Sequence, residues 1–184
     1  MPFAYYRRLS RREQAVYRRS DAIPAVPLPR GAAEGVRPAV EALRAALVRD
    51  DAPGVAAAAA EIAGRIARAL GGRAPVVRVL AVRPSRAGGE LHGLYTLAED
   101  APAVIQVWMR TARRGQVVAF RTFLRTLLHE VCHHLDLTVI GLPWSFHTEG
   151  FFQRESSLFR QIVPPDAPGH DPAPKFPGER GNGP

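Results

Sequence analysis

The sequence predicts a small α+β fold: a mixed or antiparallel three-stranded sheet, an N-terminal helical hairpin, one long helix and a following C-terminal helix. Three observations predict it. Apolar residues recur at helical spacing over 38–48 and 55–70, and over a longer stretch at 117–139. Three short segments, 75–82, 91–97 and 104–109, are instead β-branched, alternating or continuously apolar, with Gly or Pro nearby. The length of 184 residues, with 46% hydrophobic and 23% charged content, suits one domain able to bury a core.

Each element has a local reason. Ser10-Arg11-Arg12-Glu13 reads as a capping box, in which serine and glutamate satisfy backbone donors at a helix start, so a short basic helix is expected over 10–19. Ile23 to Pro29 carries three prolines and must run extended. Residues 1–30 are therefore expected to form a basic arm wrapping a domain at 31–163. Within that domain, Pro38 to Val48 and Val55 to Leu70 make the hairpin, separated by Pro53-Gly54 and closed by Gly71-Gly72. The long helix places Phe120, Leu124, Leu127, Val131 and Leu135 at steps of three and four. Gly141-Leu142-Pro143 stops it. Thr148 is the N-cap of the next helix, whose stripe is Phe151, Leu158 and Ile162. Residues 164–184 are Pro, Gly and charge, the composition of a disordered tail.

Composition narrows the chemistry. Cys132 is the only cysteine, which excludes an internal disulfide and a cysteine-built zinc cluster, so any metal must be held by histidine and carboxylate. No run approaches the ~18 apolar residues of a membrane helix, and the arginine-rich start lacks the apolar core of a secretory signal. A cytoplasmic location with no membrane partner is expected. The net charge is +8, and Lys175 is the only lysine among 25 basic residues. Such an arginine bias reflects a GC-rich coding sequence as readily as an anionic partner.

The chemistry concentrates in His129-Glu130-Val131-Cys132-His133. Residues four apart on a helix stand one above the other, about 5–6 Å between Cβ atoms, so His129 and His133 can aim ring nitrogens at one ion about 2.0–2.1 Å away. Glu130 lies beside that line, where its carboxylate can serve as general base without ligating. A catalytic zinc takes a third protein ligand. Asp136 is about 10.5 Å along the axis from His129, too far to share the ion, and is either a carboxylate supporting His133 or a polar residue near a helix end. His134 points about 100° away from His133, in an exposed or structural role. The chain must double back at Gly141-Leu142-Pro143, which leaves three candidates. His147 lies at the mouth of the next helix. Glu149 lies in its first turn, where negative charge is favoured anyway. Glu155 lies on the apolar stripe, where it must be a ligand, a partner of a liganding histidine, or paired to an arginine such as Arg125.

Other residues read more plainly. Tyr95 is a strand aromatic in preference to an oxyanion donor, and His92 is exposed without a partner at metal spacing. Trp108 and Trp144 are core or cleft walls, and Cys132 is a small buried hydrophobe.

The run 129–133 followed by His147-Thr148-Glu149-Gly150-Phe151 resembles the SprT-like and WLM-type zincin metallopeptidases. There, a third histidine after a short loop precedes an aromatic residue by about four positions. The resemblance also covers a Gly93-Leu94-Tyr95 turn and a Val104-Ile105-Gln106-Val107 strand before the motif helix. It spans 75–163 and leaves the arm and the hairpin unassigned. It implies a zincin-like domain, with His129, His133 and His147 as zinc ligands and Glu130 as catalytic base. It also implies a peptide or protein substrate, paired as an added strand along Val104 to Met109. Two other readings stand beside it. One is a non-catalytic zinc-containing binding module. The other, possible but not favoured, is a DNA-associated SprT-like protease using Arg7, Arg8, Arg11, Arg12, Arg18 and Arg19 as a phosphate-binding arm.

Overall fold

A computed structural model describes residues 2–86 and 89–164; the tail expected at 164–184 lies outside the described residues apart from Pro164. After a 3-10 turn at Ala4–Arg8, the order is α1 (Arg11–Asp21), α2 (Ala32–Val48), α3 (Ala52–Ala69) and β1 (Val76–Val82). Then come β2 (Ser85–Arg86), β3 (Gly89–Glu90), β4 (Gly93–Ala98), β5 (Ala101–Arg110), α4 (Phe120–Thr138) and α5 (Glu149–Ile162). The fold is α+β. Its three-stranded sheet runs β1-β5-β4 and is mixed, with β1 parallel and β4 antiparallel to β5.

Register fixes which side chains face the helices. Val77 aligns with Ile105 and Tyr95, and Val79 with Val107 and Gly93. This row turns inward onto a core that includes Leu43, Ile62, Phe123, Leu127, Phe151 and Leu158. Because strand side chains alternate, Val76, Leu80 and Leu94 fall on the other face, and all three are exposed.

Both edges of β5 are occupied, so the expected strand addition along Val104 to Met109 is not available. The strand with a free edge beside the motif helix is β4. Three helix starts also differ from expectation. α3 begins at Ala52 and not at Val55: Asp51 caps it by accepting from Gly54 N–H (3.0 Å), so Pro53-Gly54 forms its first turn instead of separating the two helices. α2 begins at Ala32, after Gly31 turns the chain with φ 80°, and so carries Pro38 in its interior. Pro38 is exposed, where the carbonyl left without its N–H can turn to water. α4 begins at Phe120 and not at Val117. Val118 N–H donates to the Met109 carbonyl (2.8 Å), so the sheet captures this apolar pair before the helix can.

The capping box forms as read: Ser10 accepts from the Glu13 N–H, and the Glu13 carboxylate accepts from the Ser10 N–H (2.8 Å). The arm does wrap the domain. α1 packs on α5, and the proline-rich segment after it is held by Gln161, which accepts from Leu28 N–H (2.8 Å) and donates to the Val26 carbonyl (3.1 Å).

Candidate metal centre

α4 and α5 meet at the His-Glu-x-x-His motif, and the 139–148 loop between them returns the third histidine. Thr148 caps α5 by accepting from Phe151 N–H (2.9 Å). His147, just before the cap, is thereby aimed back at α4. Its Nε2 lies 2.9 Å from His129 Nε2 and 3.0 Å from His133 Nε2. The ring of fully buried Phe151 lies 4.7 to 5.2 Å from all three imidazoles and floors the cluster. Among the described residues no further His, Cys or carboxylate joins this group of donors.

Hydrogen bonding fixes the proton positions on the two helical histidines. His129 Nδ1 faces Glu155 Oε2 at 3.3 Å, and the carboxylate also accepts from Arg125 Nη1 (3.2 Å). An ionised carboxylate accepts only, so Nδ1 carries the proton and Nε2 presents a lone pair. The same logic runs through Ser145. Its hydroxyl donates to Asp136 Oδ2 (2.8 Å) and therefore accepts from His133 Nδ1–H (2.7 Å), which leaves the His133 Nε2 lone pair bare. Asp136, fully buried, is paired with Arg154, whose Nη2 donates to both oxygens (2.9 and 3.0 Å); burial raises its pKa, and Arg154 and Ser145 oppose the rise. Two nitrogen lone pairs thus converge on a third ring nitrogen, an arrangement that a cation satisfies. Tetrahedral bonds of about 2.0–2.1 Å would space the nitrogens about 3.3 Å apart, a few tenths of an ångström wider than here. The three residues fit a metal ion.

Electrostatics keep two of the three rings uncharged. Burial lowers the His133 pKa to about 3, with His129, His147 and Arg154 adding to the fall, and the His147 pKa to about 4, with His129 adding to it and Glu155 opposing. At neutral pH both rings are therefore uncharged and able to ligate.

Glu130 and His134, four apart on α4, lie under Gly93 and Tyr95, two apart on β4. A Cβ at Gly93 would collide with the Glu130 carboxylate, so glycine is what lets this acid sit against the strand. Glu130 is 5% exposed, and burial raises its pKa to about 7, with His129 opposing and Glu155 adding to the rise. His134 is buried, not exposed. It donates through Nε2 to the Arg73 carbonyl (2.8 Å), so its Nδ1 accepts from Tyr95 Oη (3.1 Å). With its proton committed to His134, Tyr95 serves as a strut between β4 and α4. His92 is exposed, Cys132 is buried, Trp108 is buried and Trp144 is half-open in the cleft wall.

Of the three residues considered for the third position, His147 joins the cluster. Glu155 is a partner of His129 and Arg125, and Glu149 is exposed at the start of α5. A cleft of about 520 Å³ opens over the site, with β4 at Gly93–Tyr95 on one side and the loop from Pro143 to His147 on the other. Ser145, Arg154, Gly93 and Tyr5 are the supporting residues that sequence reading missed. Arg154 alone left a signal: a cation on the inward stripe of α5, between Phe151 and Leu158, demands a buried acid.

The arm is tied to this loop. Tyr5 Oη donates to the His147 carbonyl (2.7 Å), Arg19 to the Ile140 carbonyl (3.0 Å), and Gly150 N–H to Asp21 Oδ1 (2.8 Å). Arg154 spans both, donating to the Ser20 carbonyl (2.7 Å) and to the Ile23 carbonyl as well as to Asp136. Of the six arginines considered for phosphate contact, Arg18 bonds Tyr6, Arg19 bonds Ile140 and Arg12 lies 5.3 Å over Trp144.

No protein-family model, no curated protein and no solved structure matches the chain. Among the described residues no helix is long and apolar enough to cross a membrane.

Proposed function

We propose that the chain is a zinc-dependent metallopeptidase-like hydrolase, with His129, His133 and His147 as the ligands and Glu130 as the general base. The observation that carries this reading is the convergence of three Nε2 atoms beside a buried carboxylate in an open cleft. A zinc ion held there supplies Lewis acidity, polarising a carbonyl and making a water more acidic. Glu130 accepts the proton of the attacking water and delivers it to the departing amine. In the metal-free chain burial raises this carboxyl to about 7, and a cation held beside it would favour the ionised form that accepts a proton. β4, the edge strand over the site, can bind an extended peptide backbone by strand addition, which holds a carbonyl above the histidines.

A structural zinc would need a fourth protein ligand. Glu155, the carboxylate considered as an alternative ligand, is occupied by His129 Nδ1 and Arg125, which supports an open fourth position. The test is cleavage of a denatured protein substrate by wild type and Glu130→Gln, each loaded to equal zinc content. The expected loss is about 10²-fold or more in the variant. Equal cleavage by the two, or a wild type that binds no zinc, would reject the reading.

A further inference from the structure

A second depression, of about 500 Å³, is lined by Phe3, Ala4, Tyr5, Arg8, His147 and Phe152. His147 belongs to both concavities, so an extended chain crossing the histidine cluster from β4 would enter this one next.

Its walls are set in place. Tyr5 is fixed by its bond to the His147 carbonyl (2.7 Å), and the Phe3 N–H donates to Tyr17 Oη (3.1 Å). Tyr17 is itself buried, with Tyr5 and Tyr6 edge-on to it at 5.9 and 5.0 Å. Phe152 stacks on the His147 ring at 5.8 Å and meets Phe3 edge-on at 6.1 Å. Phe3 is nonetheless 42% exposed, an aromatic face held open to solvent beside a reactive site. At the rim, Arg8 is exposed and makes no hydrogen bond or ion pair among the described residues. The volume accommodates a leucine or phenylalanine side chain with room to spare.

We infer that this depression is a substrate side-chain pocket, which takes an apolar or aromatic residue of a peptide together with an acidic one two positions further on, since alternate side chains of an extended chain share a face. The aromatic walls bury the first side chain, and the Arg8 guanidinium meets the carboxylate of the second. Selectivity would then come from the N-terminal arm, outside the segment that carries the zincin resemblance. The inference rests on the hydrolase reading for the path of the peptide, but its test does not require turnover.

The test uses the zinc-loaded Glu130→Gln chain and fluorescein-labelled octapeptides with Phe-Gly-Asp, Phe-Gly-Lys or Ala-Gly-Asp at the centre, abbreviated Phe-Asp, Phe-Lys and Ala-Asp. Binding is read by fluorescence anisotropy. The Phe-Asp peptide is expected to bind about fivefold tighter than either of the others. Adding Arg8→Glu should reverse the order of Phe-Asp and Phe-Lys, and adding Phe3→Ala should erase the preference for Phe over Ala. Both positions are exposed, so thermal unfolding should be unchanged. An order unaffected by Arg8→Glu, a Phe preference that survives Phe3→Ala, or no binding of any peptide overturns the pocket. Wild type that binds with the expected pattern but cleaves nothing would overturn the hydrolase reading alone.

Discussion

Replacing Ser145 by alanine separates the support of the metal ligands from the stability of the fold. The hydroxyl is the link between His133 Nδ1 (2.7 Å) and Asp136 Oδ2 (2.8 Å). Its removal leaves the Asp136–Arg154 ion pair intact, with both guanidinium contacts at 2.9 and 3.0 Å. What changes is the histidine: nothing then holds its proton on Nδ1 or fixes the rotation of the ring. Loss of such a partner typically costs 10- to 100-fold in metal affinity, about 1.4–2.7 kcal/mol. The assay is competition for zinc against a chromophoric chelator, with the visible spectrum of the cobalt form as a second readout. The spectrum should shift as the His133 ring reorients, a change that a purely structural serine would not cause. A dissociation constant within twofold of wild type and an unchanged cobalt spectrum would refute the relay.

Three further outcomes follow from the same geometry. Arg154→Leu strands the fully buried Asp136 and two carbonyls of the arm, and should cost about 3–5 kcal/mol in urea unfolding of the metal-free protein; a loss under about 1 kcal/mol would contradict the buried pair. Gly93→Ala pushes a methyl into the Glu130 carboxylate, so hydrolysis should fall about 100-fold while zinc affinity stays within about twofold, and retained turnover would displace Glu130 as the base. The third concerns protons. In the metal-free protein Glu130 titrates near 7 and holds about half a proton at pH 7, which a nearby cation expels, whereas His133 and His147 are already neutral. Zinc binding should therefore release about half a proton more from wild type than from Glu130→Gln, and affinity should rise more steeply with pH in wild type. Calorimetry in buffers of different ionisation enthalpy reads the difference, and equal release by the two would refute the assignment.

The histidine pair and the carboxylate beside it were legible because helical periodicity is rigid: four residues bring His129 and His133 into line. His147 was legible as one of three candidates, and what selects it is the Thr148 cap, which aims the preceding residue inward. Glu155 was legible as a problem, a carboxylate on an apolar stripe; its solution, a bridge from Arg125 to His129, depends on how α4 and α5 cross. Sheet order was not legible. β1 and β5 are parallel partners separated by three short strands, and no local spacing records a non-local pairing. That is why the sequence points to β5 for strand addition, although β5 is central and the available edge is β4. Ser145 carries no local signal, because its role comes from a loop conformation that joins two residues nine and twelve positions upstream.

The most direct test of the central claim is the coordination of zinc itself, by X-ray absorption spectroscopy of the chain loaded with one zinc equivalent. An open catalytic centre predicts three histidine nitrogens and one light water oxygen at about 2.0–2.1 Å, falling to two histidines in His147→Ala. A sphere unchanged in His147→Ala, or one closed by a fourth protein ligand, would contradict it.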